Sequence, residues 1–137
     1  MTTTDDNREL LIRFLDAFTR GDIATAAECF DPEKYFSHTY EADLAGTWAQ
    51  QRDDYRAGIF TDVAVERITV WAEDDRVGHH SNFTGTHSGT FMGVRASGQR
   101  ITMPILETWR VADGKIVEHS GGFIVTAKTL ERLRSNA

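Results

Sequence analysis

Cysteine is nearly absent from the chain. Cys29 is the only one among 137 residues, so no disulfide can close within the chain, and a reducing, cytoplasmic setting is the expectation. Proline is almost as scarce, with only Pro32 and Pro104 interrupting the regular patterns. Lysine is scarce, occurring at Lys34, Lys115 and Lys128 alone, and 21 acidic against 15 basic residues leave a net charge of −6. A phosphate backbone demands clustered Lys and Arg, so a nucleic-acid partner is not expected. No apolar run approaches the roughly 18 residues of a membrane span. Met1–Asp6 has neither a basic start nor an apolar stretch, so no secretory signal is expected either. A GxSxG elbow, a phosphate loop and a nucleotide fingerprint are all missing.

What the chain does hold is apolar and aromatic mass. Forty per cent of it is hydrophobic, with eight Phe, three Trp and three Tyr, enough for one core in a single domain spanning 1–137. Leu10, Leu11, Phe14, Leu15 and Phe18 recur at helical steps over 6–20, with Asp6 as the expected N-cap. A shorter helix is predicted from Asp22 to Phe30, stopped by Asp31-Pro32. Lys34–Tyr40 reads as an edge strand. A third helix over Thr47–Ile59 carries Trp48, Arg52 and Tyr55 on one side. Period-two alternation then predicts strands at 63–72, 76–86, 99–111 and 115–125, with a closing helix over 127–134. Helices first and an antiparallel meander afterwards make an α+β fold.

Asp113-Gly114 between the last two strands is a hairpin signal. A two-residue turn would pair Ala112 with Lys115. A three-residue loop would pair Val111 with Lys115 and set Glu107 opposite His119. Alternation favours the second, because it gathers Met103, Ile105, Glu107 and Trp109 on one mostly apolar face with Val117, His119, Gly121 and Phe123. Burial raises the pKa of such a carboxylate while a neighbouring imidazolium lowers it, and the two can meet near neutrality, as general acid–base catalysis requires. The same pair also reads as a satisfied structural contact.

Five histidines, His38, His79, His80, His87 and His119, raise the question of a metal. His79 and His80 are adjacent and point to opposite faces of a strand, and no HxH or HxxxH spacing occurs, so no metal is expected. His79 shares a face with Ser81 and Phe83 and joins Glu107 if that face is inward. His87 reads as a structural hydrogen-bonding residue, Trp48 as core, and Cys29 as a small buried hydrophobe.

Gly85-Thr-His-Ser-Gly89, Phe91-Met-Gly93, Gly98-Gln-Arg-Ile101 and Asp113-Gly-Lys-Ile-Val-Glu-His119 together resemble the SnoaL-like polyketide cyclase family of the nuclear-transport-factor-2-like superfamily. Arg20-Gly21-Asp22, Tyr35-Phe-Ser-His38 and Gly46 extend the resemblance over nearly the whole chain. It implies a cone, a strongly bent antiparallel sheet wrapped around the N-terminal helices with a pocket inside, and commonly a homodimer. It also implies cofactor-independent aldol chemistry on a polyketide-like small molecule. The family's acid–base Asp falls at Gly121, which cannot move a proton and, lacking a side chain, is expected to enlarge the pocket. Glu107 occupies the facing position. Glu107 and His119 are therefore the expected catalytic residues. His38, Trp48, Tyr55, His79, Phe83, Met103, Ile105, Trp109, Gly121 and Phe123 are the expected substrate-binding ones, with no metal or cofactor. Cyclisation or isomerisation leads; epoxide opening, cofactor-free hydroxylation and non-catalytic ligand binding are the alternatives.

Overall fold

The computed structural model describes residues 3–135; Met1 and Thr2, the start of the segment read for a leader, lie outside them. Helix α1 spans Thr4–Thr19 and buries Leu11, Phe14 and Ala17. Its N-cap is Thr3 rather than Asp6. The Thr3 hydroxyl accepts the Asp6 N–H at 3.0 Å and the Asp6 carboxylate accepts the Thr3 N–H at 3.1 Å, so Asp6 closes the capping box from inside the helix. Helix α2 (Ile23–Glu28) is capped by Asp22. Strand β1 is only Phe36–Ser37, shorter than the 34–40 reading. Helix α3 (Leu44–Arg56) starts three residues before the expected Thr47, because Asp43 accepts the Gly46 N–H at 2.9 Å and caps it there.

Strands β2 (Phe60–Glu73), β3 (Arg76–His87), β4 (Arg100–Ala112) and β5 (Lys115–Phe123) follow, and helix α4 (Ala127–Arg134) ends the described fold. The sheet order is β1-β5-β4-β3-β2, all antiparallel except β1, which runs parallel to β5. Two extra residues in β2, before Ala64 and before Thr69, break its register with β3. Such bulges add twist and bend a sheet, and the result is a curved, open α+β sheet with its concave face toward the helices.

That face has two apolar ends. Leu11, Phe14, Phe30, Val77, Trp109 and Ile116 pack at one. Phe83, Val94, Ile101, Met103 and Leu133 pack at the other. Between them β3 places His79 and Ser81, β4 places Glu107 and β5 places His119, a polar belt across an apolar surface.

The β4–β5 hairpin differs from its expected register in an instructive way. Asp113 (φ 51°) and Gly114 (φ 74°) both take positive φ, so a two-residue turn pairs Ala112 with Lys115. Strict alternation from there would turn His119 to the convex face. Val117 is an extra residue between the Arg110–Glu118 and Val111–Ile116 pairs, and it restores the parity. Trp109 therefore faces His119, and Glu107 faces Gly121 instead of His119. The expected face is right and the expected partner is one rung off. Gly114→Ala should cost about 1 kcal/mol in denaturant unfolding, since an alanine resists that left-handed conformation.

Candidate active site

Glu107 sits between two imidazoles. One carboxylate oxygen lies 3.1 Å from Nε2 of His79 and the other 2.6 Å from Nε2 of His119. His119 reaches Glu107 diagonally across the β4–β5 pair, and His79 is its direct register partner on β3. Each imidazole is held from behind by a serine: His79 Nδ1 is 2.8 Å from Ser81 Oγ, and His119 Nδ1 is 2.9 Å from Ser37 Oγ. Ser37 Oγ also accepts the Tyr40 backbone N–H at 3.1 Å. The Trp109 indole stacks on His79 with centroids 5.6 Å apart, and Tyr40 stacks on His119 at 6.2 Å. Neither ring can turn without breaking a stack and a hydrogen bond.

A neutral imidazole that donates from Nε2 accepts at Nδ1, and a serine hydroxyl supplies that proton. An imidazolium donates from both nitrogens, and the same hydroxyl then accepts. Both serines thus satisfy their histidine in either protonation state. The chain Ser37–His119–Glu107–His79–Ser81 keeps its bonds while a proton is present or absent. Only Glu107 meets the outside: its side chain is 23% exposed, against 4% for each imidazole.

Burial pushes the Glu107 carboxyl up, but the hydrogen bonds and charge of His119 and His79 outweigh it and bring it down to about 2. The near-neutral acid–base pair expected from the sequence is therefore corrected to a carboxylate ionised throughout the physiological range. Its folded pKa lies below its ordinary value of 4.5. The stabilisation it brings is then fully present above pH 4.5 and is lost as pH falls from there toward 2. Wild-type protein should lose on the order of 2–3 kcal/mol of unfolding free energy over that interval from this group. Glu107→Gln lacks this component, so urea unfolding should show the gap between the two proteins closing as pH falls. Two phenols lie nearby. Burial pushes Tyr35 up to about 12 and raises Tyr40 as well, so both stay protonated.

Gly121, opposite Glu107, has φ +100°. A Cβ there would run into the Leu106 carbonyl oxygen and come within 2.9 Å of Glu107 Cα. Its missing side chain would point into strand β4 rather than into a pocket, so the glycine enlarges nothing. It lets β5 approach β4 closely beside the carboxylate.

The structure brings His79, Trp109 and Gly121 to Glu107 and His119, and it sends other candidates elsewhere. His38 is half exposed and pairs with Glu118 at 3.1 Å, away from the belt. Tyr55 is 87% exposed, because α3 leaves the body of the protein after Gln51. Trp48 packs on Phe30 and Phe18 in the core. Phe83 and Met103 are buried in the second apolar cluster with Ile105 against them; Phe123, 43% exposed, packs on Phe83 at its edge and stays beside the site, lining the groove at Gly121. His87 is buried and bonds Ser97 Oγ at 2.8 Å, the structural role expected of it. Ser37 and Ser81 were missed. Ser81 was legible two residues from His79 on the same strand face; Ser37 was not, since nothing local signals a parallel β1–β5 pair.

The expected enclosed pocket is an open groove, lined by Thr39, Phe91, Met92, Gly121, Gly122, Phe123 and Val125. It adjoins the belt at Gly121, the register partner of Glu107. Among the described residues no three His, Cys, Asp or Glu side chains are arranged to hold a metal ion. Both inward-facing Nε2 atoms are directed at Glu107 instead.

Comparisons with known proteins agree with this architecture. AclR from Streptomyces galilaeus, a candidate hydroxylase, is 29% identical with a TM-score of 0.75, over 97% of this chain and 98% of that one. IdmH from Streptomyces antibioticus, a candidate polyketide cyclase, is 26% identical with a TM-score of 0.72, over 94% and 98%. A candidate SnoaL-like polyketide cyclase from a Jannaschia species shares the fold at 22% identity and a TM-score of 0.78, over 100% and 96%. No curated protein matches the chain. The family profile described as SnoaL-like polyketide cyclase matches residues 9–123. With that span matched and the curved sheet in place, the chain belongs to the SnoaL-like polyketide cyclase family.

Proposed function

We propose that this protein is a cofactor-independent cyclase or isomerase acting on a polyketide-like intermediate, with Glu107 as the general base. The observation that carries this reading is the carboxylate fixed between His79 and His119 as the one member of the trio open to the outside. A carboxylate held at about 2 is a weak base. It suits a carbon already acidified by two flanking carbonyls, which is what a poly-β-carbonyl chain offers.

The step balances without a cofactor. Glu107 takes the C–H proton and leaves an enolate. The enolate carbon attacks a second carbonyl, forming the C–C bond, and the resulting alkoxide takes the proton back from Glu107. His79 and His119 hold the carboxylate's orientation, so the reacting atoms meet a base with no reorganisation left to make. The groove beside Gly121, with Phe91, Met92, Phe123 and Val125, takes the apolar body of the substrate. A homodimer is part of this reading, as the family implies.

The resemblance to AclR favours one second reading, cofactor-free hydroxylation on the same site. Incubation of poly-β-carbonyl intermediates under labelled oxygen separates the two. A cyclised product without label supports the cyclase reading; an incorporated oxygen atom from the gas overturns it in favour of hydroxylation.

A further inference from the structure

The turn on the groove breaks a rule that the rest of the chain keeps. Phe91 and Val94 exchange two backbone hydrogen bonds, at 2.9 and 2.8 Å, and close a two-residue turn on Met92 (φ 48°) and Gly93 (φ 79°). Such a turn demands positive φ at both positions. Asn or Asp is the usual residue at the first, because a short polar side chain tolerates that conformation. The β4–β5 turn complies with Asp113-Gly114, and the other non-glycine residues at positive φ are Glu41, Asp62 and Asp74. Among the described residues, Met92 alone puts an apolar side chain there.

The fold gains little from it. Met92 belongs to neither apolar cluster and is 60% exposed. What its side chain does reach is the groove, whose lining it shares with Phe91, Phe123 and Gly121. The groove offers about 540 Å³, the volume of a small-molecule site, and Gly121 joins it to Glu107 in register. Strain held where the fold does not need it points to function. A methionine also suits the place, since its flexible chain and polarisable sulfur pack well on flat rings.

We propose that Met92 is a specificity-determining residue of the groove, whose side chain covers the flat part of the bound molecule. It selects ring-bearing molecules over open-chain ones that present the same reactive carbon to Glu107. This rests on the reading that the groove holds the substrate, and binding rather than turnover tests it.

Met92→Asn supplies the residue the turn prefers and removes the apolar cover, so fold and site should respond in opposite directions. Its urea midpoint should rise above that of the wild type. Calorimetry with two 1,3-dicarbonyls, benzoylacetone and acetylacetone, reads the site. Wild-type protein should bind the ring-bearing probe more tightly. Met92→Asn should weaken that probe about fivefold and leave acetylacetone unchanged. Met92→Leu keeps the apolar cover and should hold benzoylacetone within about twofold of the wild type. A lower urea midpoint in Met92→Asn would give the methionine a role in the fold and overturn the proposal. Equal losses for both probes, no loss for either, or a wild type that does not discriminate would do the same. So would sedimentation of a wild-type dimer that Met92→Asn dissociates, which would assign the side chain to an interface between copies. Absent turnover with these binding differences intact would count against the cyclase reading alone.

Discussion

Glu107→Gln should lower kcat by about 10²–10⁴-fold, the range general-base catalysis supplies, while the protein remains folded. Glutamine keeps the shape and presents one acceptor and one donor where the carboxylate presents two acceptors. One histidine can go on donating to the amide oxygen. The other can shift its proton to Nδ1 and accept from the amide nitrogen, because Ser37 Oγ and Ser81 Oγ both lie within hydrogen-bond distance and can receive it. The network is thus re-satisfied without a buried orphan, and what disappears is the proton acceptor. Stability at neutral pH should fall by on the order of 2–3 kcal/mol, matching the lowered pKa of the lost carboxylate. Steady-state kinetics with circular dichroism on the same sample separates the two effects. An active Glu107→Gln protein would remove Glu107 from the chemistry.

Gly121→Asp should do the opposite of what a sequence comparison suggests. An aspartate there would restore the family's acid–base residue by position. In this backbone it would require a side chain at φ +100° whose Cβ collides with the Leu106 carbonyl. Strand β5 would have to peel from β4 next to Glu107. The expected outcome is a loss above about 3 kcal/mol, in the range reserved for a buried clash combined with backbone strain, and no recovered activity. Gly121→Ala meets the same obstacle at its Cβ and should also destabilise. Thermal melts of the two variants check this. A stable, more active Gly121→Asp protein would show that β5 can adopt the ordinary strand conformation and that the glycine is an accident.

The same stretch of chain shows how far the sequence could be read. Period-two alternation put Glu107, Trp109, His119 and Gly121 on one face, and they are there, because parity survives any error of two residues. The partner of Glu107 was misread, because a bulge has no period. Asp113-Gly114 closed as a two-residue turn and Val117 absorbed the difference, two compensating steps that leave the hydrophobic pattern unchanged. His79 was legible only on the condition that its face was inward, which the register of β3 on β4 supplies. Tyr55 failed because helical periodicity says which side of a helix is which, but not where the helix outruns the elements beneath it. Ser37 depends on a parallel contact between residues 82 positions apart in sequence, and no local rule reaches that far.

The pKa of Glu107 was misjudged for a different reason. A single imidazole opposite a buried carboxylate leaves desolvation and attraction comparable. Two imidazoles, each fixed by its own serine, decide the balance for the ionised form. On the proposed reading, a weak and pre-aligned base selects for acidic carbon rather than generating strong basicity.

The central claim is that Glu107 removes a proton from a doubly activated carbon. A 1,3-dicarbonyl analogue that lacks the acceptor carbonyl cannot cyclise, so in D₂O the exchange of its methylene protons, followed by NMR, isolates that step. Wild-type protein should accelerate exchange over the buffer rate, and Glu107→Gln should return it to that rate. Exchange by the Glu107→Gln protein as fast as by the wild type would contradict the account.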